Sequence, residues 1–244
     1  GDTSDYPENA LETVFYPTNK IRLPVNKENV IKSGLVKEKD SDLILDYIDI
    51  DLPESIITKN QIMMLDILAN NNWERPIYFT GGSYEESEYI WMKDYLQLDG
   101  LVYKLVPIKT SIENNPYEMG RIDSDLMYDI VKKWSWGNSE SDEIYHDPET
   151  RKNSISFRGN LSRLSEKLIS EGEYEKAEEI LDLAFSKMPI DYYGYYSLWT
   201  PLVKSYYDIG KSEKVKEIVQ KLSFKYSDRL SYFSSLEIFN QYDV

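Results

Sequence analysis

The side chains that most often carry out chemistry are scarce in this chain, which has one histidine and no cysteine. His146 is the residue type that usually transfers protons near neutral pH, but Asp147 and Pro148 follow it, a pattern typical of an exposed turn. One histidine cannot form a histidine-rich metal site, and without cysteine there is no thiolate nucleophile or cysteine-based zinc site. We therefore predict no catalytic residue, no metal site and no cofactor.

A glycine turn offers a second kind of chemistry. Gly81, Gly82 and Ser83 stand between a predicted strand and a predicted helix, where backbone N–H groups can bind phosphate. Glu85 and Glu86 follow closely and would repel a phosphate, and the spacing matches neither common phosphate-binding loop. A tight turn followed by a capped helix is therefore favoured.

Paired carboxylates are a third candidate for a chemically active site. Asp49 and Asp51 would share one face of a strand, about 7 Å apart, which suits a glycosidase pair or calcium ligands. The chain has 43 acidic residues, so such pairs also arise by accident. A solvated strand end is favoured, and glycoside hydrolysis is kept as the weaker alternative.

Aromatic side chains are abundant, with 21 tyrosines, and rings with polar edges suit both sugar stacking and protein interfaces. Helical spacing of such rings equally indicates a core. A core position for Trp73, with Arg75 pairing an acid, is favoured over a ligand cleft. The candidate binding residues are Trp73, Arg75, Tyr78, Tyr192, Tyr193, Tyr195, Tyr196 and Trp199.

Short β-type runs alternate with helix-type runs in residues 1–110, which predicts an α/β layer. Strands are expected at 21–25, 43–51, 75–80 and 101–108, the last inside the sheet because both faces are apolar apart from Lys104. Asn26 can cap a first helix that Gly34 ends.

Two further helices are expected in the same region. Thr58 and Gln61 have capping-box spacing before a helix whose apolar side is supplied by Ile62, Leu65, Ile67 and Leu68. Ser83 and Glu86 repeat that spacing before a helix that Gly100 ends.

Residues 111–153 read as a connector containing one helix at about 124–134. Trp134 and Trp136 are expected to anchor it to a neighbour, since exposed paired indoles are unfavourable.

The pattern from residue 154 onward is helical and repetitive, and it resembles the tetratricopeptide template. The predicted frame places buried positions in two helical hairpins with turns at Gly172 and Gly210, and a few extra residues near 191–194. Phe233 and Leu236 are expected to begin a third hairpin. Tyr174 marks the first turn together with Gly172. The helix positions are Leu161, Leu164, Ser165, Leu168, Ala177, Leu181, Ala184 and Pro189, then Trp199, Leu202, Val203, Tyr206, Val215 and Val219.

The formal charge of −15 argues against binding to nucleic acid or anionic lipid, which needs clustered Lys and Arg. No stretch approaches the roughly 18 to 20 apolar residues that span a bilayer. We expect any export signal and membrane attachment to lie upstream in a longer protein.

One block of residues carries a family resemblance. Its matching residues are Asn72, Trp73, Arg75, Pro76, Ile77, Tyr78, Phe79, Tyr95, Leu96, Gly100, Leu101, Tyr103, Leu105, Val106 and Pro107. The block resembles the soluble C-terminal region of a family of large multi-spanning membrane proteins, common in Bacteroidetes and similar to protein O-mannosyltransferases of the type-C glycosyltransferase kind. The resemblance implies a position at the periplasmic face of the inner membrane, with the catalytic machinery in the missing membrane part.

These observations predict a two-part chain: an α/β domain at 1–110, a connector at 111–153 and an all-α, tetratricopeptide-like domain at 154–244. We expect a non-catalytic extracytoplasmic accessory domain that docks a partner or acceptor protein. The alternative is a carbohydrate-binding module that uses exposed Tyr and Trp rings.

Overall fold

The computed structural model describes residues 18–52, 57–80, 90–110 and 119–236, apart from the side chains of residues 90 and 91. Helices and small antiparallel sheets combine with a helical C-terminal part, which confirms a mixed helix and sheet fold. The described residues form two compact units. One holds the residues up to 77 with 90–96 and 105–110, and the other holds 78–80, 97–104 and 119–236. The domain boundaries predicted at 110 and 153 stay a prediction.

The first unit contains a two-stranded antiparallel sheet of β1 (Lys20–Pro24) and β2 (Tyr47–Asp51). In β2, Ile48 and Ile50 are buried while the residues between them are exposed, the period-two pattern of a half-covered strand. Helix α1 (Lys27–Lys32) begins as predicted, because the Asn26 side chain accepts a hydrogen bond from the Asn29 N–H.

Helix α2 (Lys59–Asn71) shows the backward contact of the predicted capping box, since the Thr58 N–H donates to Gln61 Oε1 at 2.8 Å. Leu68 is buried as predicted, but Ile62 and Ile67 are more than half exposed, so the predicted apolar side is wrong there. At about 100° per residue, these two side chains point about 120° and 100° away from Leu68.

A three-stranded sheet has the order β3 (Tyr78–Thr80), β5 (Val102–Leu105), β4 (Leu96–Asp99), which confirms that the last strand lies inside a sheet. The prediction that a helix continues up to Gly100 is wrong for the residues just before that glycine. A 3₁₀ turn at Ile90–Tyr95 gives way to β4, whose four residues are all buried. The Gly-Gly-Ser turn at 81–83 and the capping box at Ser83 lie outside the described residues.

Gly100 opens the turn between β4 and β5 at φ +73°, a backbone conformation that favours glycine. A Cβ atom there would lie 3.0 Å from Trp134 Cζ2 and 3.1 Å from Ile130 Cγ2. The glycine is therefore required both by the turn and by the close approach of the indole.

Two helices lie in the predicted connector and directly after it. Helix α3 (Ser124–Val131) is capped by Asp123, which accepts from the Leu126 N–H. Helix α4 (Pro148–Ser170) begins earlier than the sequence suggested, because Asp147 accepts from the Glu149 and Thr150 N–H groups and Pro148 suits the first turn.

The rest of the second unit is helical: α5 (Tyr174–Lys187), α6 (Ile190–Tyr193), a 3₁₀ turn (Tyr196–Trp199), α7 (Thr200–Asp208) and α8 (Ser212–Ser235). Gly172 and Gly210 have positive φ at the turns between α4 and α5 and between α7 and α8, as expected for helix ends. Helix α4 packs on α5 and α7, and α7 packs on α8. The predicted core positions that are buried are Leu161, Leu164, Ser165, Leu168, Ala177, Leu181, Ala184, Trp199, Leu202 and Tyr206.

The prediction that a third hairpin begins at Phe233 is wrong. Phe233 lies within α8, which runs without a break from Ser212 to Ser235. No glycine or proline interrupts this stretch, so nothing in it ends the helix.

Among the described residues, none of the helices has both the length and the apolar composition that crossing a bilayer requires.

Candidate functional site

The carboxylate pair lies in ion pairs across the two-stranded sheet. Arg22 donates from Nε to Asp49 Oδ1 at 2.8 Å and from Nη2 to Oδ2 at 3.0 Å, and Lys20 Nζ lies 3.2 Å from Asp51 Oδ1. The hydrogen bonds from Arg22 hold the pKa of Asp49 below its usual range. Both acids are exposed and neutralised, which supports a solvated strand end over a glycosidase pair.

His146 is buried, so its predicted position in an exposed turn is wrong. Its Nε2–H donates to the Ser141 carbonyl at 2.8 Å, and its ring stacks on Tyr192 with centroids 5.2 Å apart. Tyr193 packs at an angle to the same ring. Two tyrosines cover the imidazole, and the sequence neighbours alone could not reveal them.

Trp73 is buried, and its Nε1–H donates to the Pro24 carbonyl at 2.8 Å. The cavity that Trp73 and Arg75 line holds only about 10 Å³, room for about one water molecule. Arg75 is exposed and pairs with no acid in the part of the chain that the structure describes. Trp73 is thus a core anchor, whereas the predicted ion pair of Arg75 is wrong for the described residues.

Tyr78 lies on β3 opposite Lys104 of β5. Burial, together with the charge of Asp99, raises the pKa of its phenol. Lys104 and Asp99 form an ion pair of 2.9 Å in which both side chains are only 3% exposed. Gln97 Nε2 donates to the other oxygen of Asp99 at 2.8 Å, so Tyr78 stands beside a buried charged network.

The five aromatic residues of the tyrosine-rich segment do not form one exposed patch. Tyr193 and Trp199 are buried, Tyr192 and Tyr196 are half-buried, and Tyr195 is exposed. The Tyr193 hydroxyl donates to the Ser139 carbonyl at 2.9 Å, which fastens this segment to the connector.

Arg158 of α4 also binds the tyrosine-rich segment. It is completely buried, and within the described residues it has no carboxylate partner. Its Nη1 donates to the Gly194 carbonyl at 2.8 Å and its Nη2 to Ser154 Oγ at 2.8 Å, while the guanidinium lies 5.1 Å from the Trp199 ring. Burial lowers the pKa of Arg158 to about 10.

Sequence reasoning missed Arg158, although a signal was available. It lies three residues before Leu161 on the apolar stripe of α4, and a charged residue on such a stripe needs buried partners.

The second unit contains a pocket of about 200 Å³, called the aromatic pocket below. Its apolar wall is formed by Trp136, Phe157, Tyr193 and Met188. The Trp134 and Trp136 rings lie 5.3 and 5.6 Å from the Phe157 ring of α4, which confirms that the two indoles anchor the connector. The polar wall consists of Ser135, Ser139, Thr150, Asn153 and Ser154.

Helix α8 presents an apolar face, called the C-terminal stripe and defined by Tyr226, Leu230 and Phe233. Their spacing of four and three residues puts them on one side of the helix. They are 44%, 70% and 57% exposed. Tyr196 packs edge-on against Tyr226 with centroids 5.6 Å apart, so one predicted binding residue adjoins the stripe.

The described residues contain no group of three or more acidic or histidine side chains that could hold a metal ion.

Residues 2–126 of the chain match the family model named TMEM260-associated domain 2. This match fits the expectation of a domain from a larger membrane-protein family. No curated protein and no solved structure matches the chain.

Proposed function

Because the chain belongs to the TMEM260-associated domain 2 family, we propose that it is a non-catalytic accessory domain of a larger membrane protein that docks a partner protein. The docking element is the C-terminal stripe of α8. The periplasmic location, the association with a glycosyltransferase-like parent and the tetratricopeptide-like character of the hairpins belong to this proposal.

The observation that carries the proposal is that α8 is much longer than the helix α7 on which it packs. This helix of 24 residues is about 36 Å long, whereas its neighbour α7, with nine residues, covers only about 14 Å. Near the middle of α8, Leu222 is buried. The same face continues through Tyr226, Leu230 and Phe233 with large exposed areas, and contiguous apolar surface of this kind marks interaction sites.

The charges beside the stripe indicate what the partner must carry. Lys221 and Lys225 are ion-paired with Asp191 at 2.5 and 2.8 Å. Arg229 has no carboxylate partner within the described residues, and its guanidinium lies 5.8 Å from the Tyr196 ring. A partner helix with an apolar face and an acidic residue opposite Arg229 would complement both features.

Site-specific photo-crosslinking in the full-length parent protein tests the proposal. We place a photo-crosslinking phenylalanine analogue at Phe233 on the stripe, and at Phe224 as the matched control. Phe224 is equally aromatic and 68% exposed, but it points about 120° away from Leu230. We expect a discrete adduct with another protein from position 233 and none from position 224.

A Leu230→Glu substitution should abolish the adduct, because it places a charge in the apolar contact. Adducts only with a second copy of the chain, only with lipid, or equally from both positions would overturn the docking proposal.

Carbohydrate binding remains the second candidate. The rings of the tyrosine-rich segment do not favour it, since Tyr193 and Trp199 are buried. The aromatic pocket is the observation that does favour it, because it combines rings with uncharged polar groups.

A further inference from the structure

We infer that the aromatic pocket binds one uncharged pyranose ring of a carbohydrate. This site shares no residue with the C-terminal stripe, and the inference does not depend on the docking proposal. Four properties of the pocket carry it: the rings, the unused polar groups, the absence of charge in its wall and its size.

The rings provide surfaces for the C–H faces of a sugar. Trp136 and Phe157 are half-buried, with centroids 5.6 Å apart and planes inclined by 51°. Tyr193 closes the wall, and its hydroxyl is engaged by the Ser139 carbonyl, so its ring cannot swing away without breaking that bond. Rings fixed in this way lose little conformational freedom when a ligand stacks on them.

Two polar groups in the wall are available to a ligand. The side chains of Ser135 and Asn153 line the pocket and make no hydrogen bond within the described residues. Together they offer one hydroxyl and one amide, which can both donate and accept. By contrast, the hydroxyls of Thr150, Ser139 and Ser154 are occupied by Asp147, by the Lys187 carbonyl and by Arg158, respectively. Adjacent hydroxyls of a sugar, which also donate and accept, complement Ser135 and Asn153.

The charge of the wall restricts the ligand further. None of the described residues that line the pocket is ionisable at neutral pH. In the part of the chain that the structure describes, charged side chains reach the wall only through its hydroxyls: Thr150 donates to Asp147, Ser139 donates to Glu140, and Ser154 accepts from Arg158. A charged group on a ligand would meet no side chain ionisable at neutral pH in the wall itself, which favours a neutral ligand.

The size limits the ligand to a single ring. The pocket's volume of about 200 Å³ lies below the range of about 300–1,000 Å³ that is usual for drug-sized ligands. So few contacts support only weak binding, and we expect dissociation constants of about 1–10 mM.

Nuclear magnetic resonance titration of the full chain tests the inference. The probes are methyl α-D-glucopyranoside, methyl α-D-mannopyranoside and methyl β-D-galactopyranoside, and the readout is the indole N–H signal of Trp136, assigned by Trp136→Phe. We expect at least one probe to shift this signal saturably.

The double variant Ser135→Ala/Asn153→Ala should weaken this binding about tenfold, because two hydrogen bonds are lost. Ser156→Ala is the matched control, since Ser156 lies exposed on the same helix α4 but does not line the pocket. The control should bind like the parent chain.

Three results would overturn the inference. One is the absence of a saturable shift at probe concentrations up to about 100 mM. The second is unchanged binding in the double variant. The third is glucuronic acid binding as tightly as the neutral glycosides. The docking variant Leu230→Glu should leave the titration unchanged, so the two proposals can fail separately.

Discussion

The buried ion pair between Lys104 and Asp99 allows a quantitative test of the sheet in the second unit. We expect Lys104→Met to destabilise the chain strongly, while the double variant Lys104→Met/Asp99→Leu should come close to the parent stability. The reason is that the single variant leaves Asp99 charged and almost completely buried, with Gln97 as its one side-chain donor among the described residues.

The magnitude follows from the geometry. At 2.9 Å and an effective dielectric constant of about 20, the two charges attract each other by about 6 kcal/mol. Removing each ion from water costs several kcal/mol, so the intact pair contributes little net stability. Loss of Lys104 alone should lower the free energy of unfolding by about 3 kcal/mol, near the low end for a broken buried pair because the Gln97 hydrogen bond remains.

Urea unfolding followed by circular dichroism measures these differences. A total stability of about 5–15 kcal/mol makes a loss of about 3 kcal/mol easy to detect. Lys20→Met serves as the control, since its ion pair with Asp51 joins side chains that are 69% and 77% exposed, and we expect little measurable change.

The reasoning is refuted if Lys104→Met costs less than about 1 kcal/mol, because the charge of Asp99 would then be solvated. It is also refuted if the double variant loses as much as the two single variants together, because the two charges would then be independent.

Three other substitutions test separate parts of the structure. Gly100→Ala should cost about 2 kcal/mol or more, from its positive φ and the nearby indole, whereas Gly137→Ala, with positive φ but open space, should cost less in the same urea assay. Arg158→Met should lower the free energy of unfolding by about 3 kcal/mol, because the Gly194 and Tyr195 carbonyls lose their donor, and an unchanged unfolding midpoint would contradict this role of Arg158. Glu178 has a pKa held below its usual value by hydrogen bonds led by Lys211. Its contribution is therefore complete above the unfolded pKa of about 4.5 and is lost as pH falls further, so Glu178→Gln should flatten the acid side of a plot of melting temperature against pH.

The elements that the sequence predicted correctly depend on neighbouring residues. Asn26 caps α1, Gln61 accepts from the N–H of Thr58, and Gly172 ends α4, each through contacts within a few positions. The two apolar faces of β5 likewise needed no knowledge of its partners to indicate an interior strand.

The errors arose where distant residues decide the outcome. Residues 96–99 form a strand because they pair with β5, although their apolar spacing also fits a helix. His146 is buried by Tyr192 and Tyr193, nearly 50 positions away, and Arg158 finds its acceptors at Ser154 and in the segment beyond α6.

In the candidate sites, too, some features follow from local sequence and others depend on distant residues. The tyrosine-rich segment was recognisable by composition, but which rings are covered depends on α4 and the connector. The aromatic pocket was not predictable, because its wall combines residues 135–139, α4 and the end of α5, which meet only after folding.

The division of the chain into two units has a practical consequence for anyone who wishes to isolate either one. The backbone leaves the first unit after residue 77, returns to it by residue 90, leaves again after 96 and returns at 105. A single cut in the polypeptide therefore cannot separate the two units cleanly, because at least one of the two fragments would carry residues of both units. Separate expression of either unit would require new connections between its segments, in place of the residues that belong to the other unit.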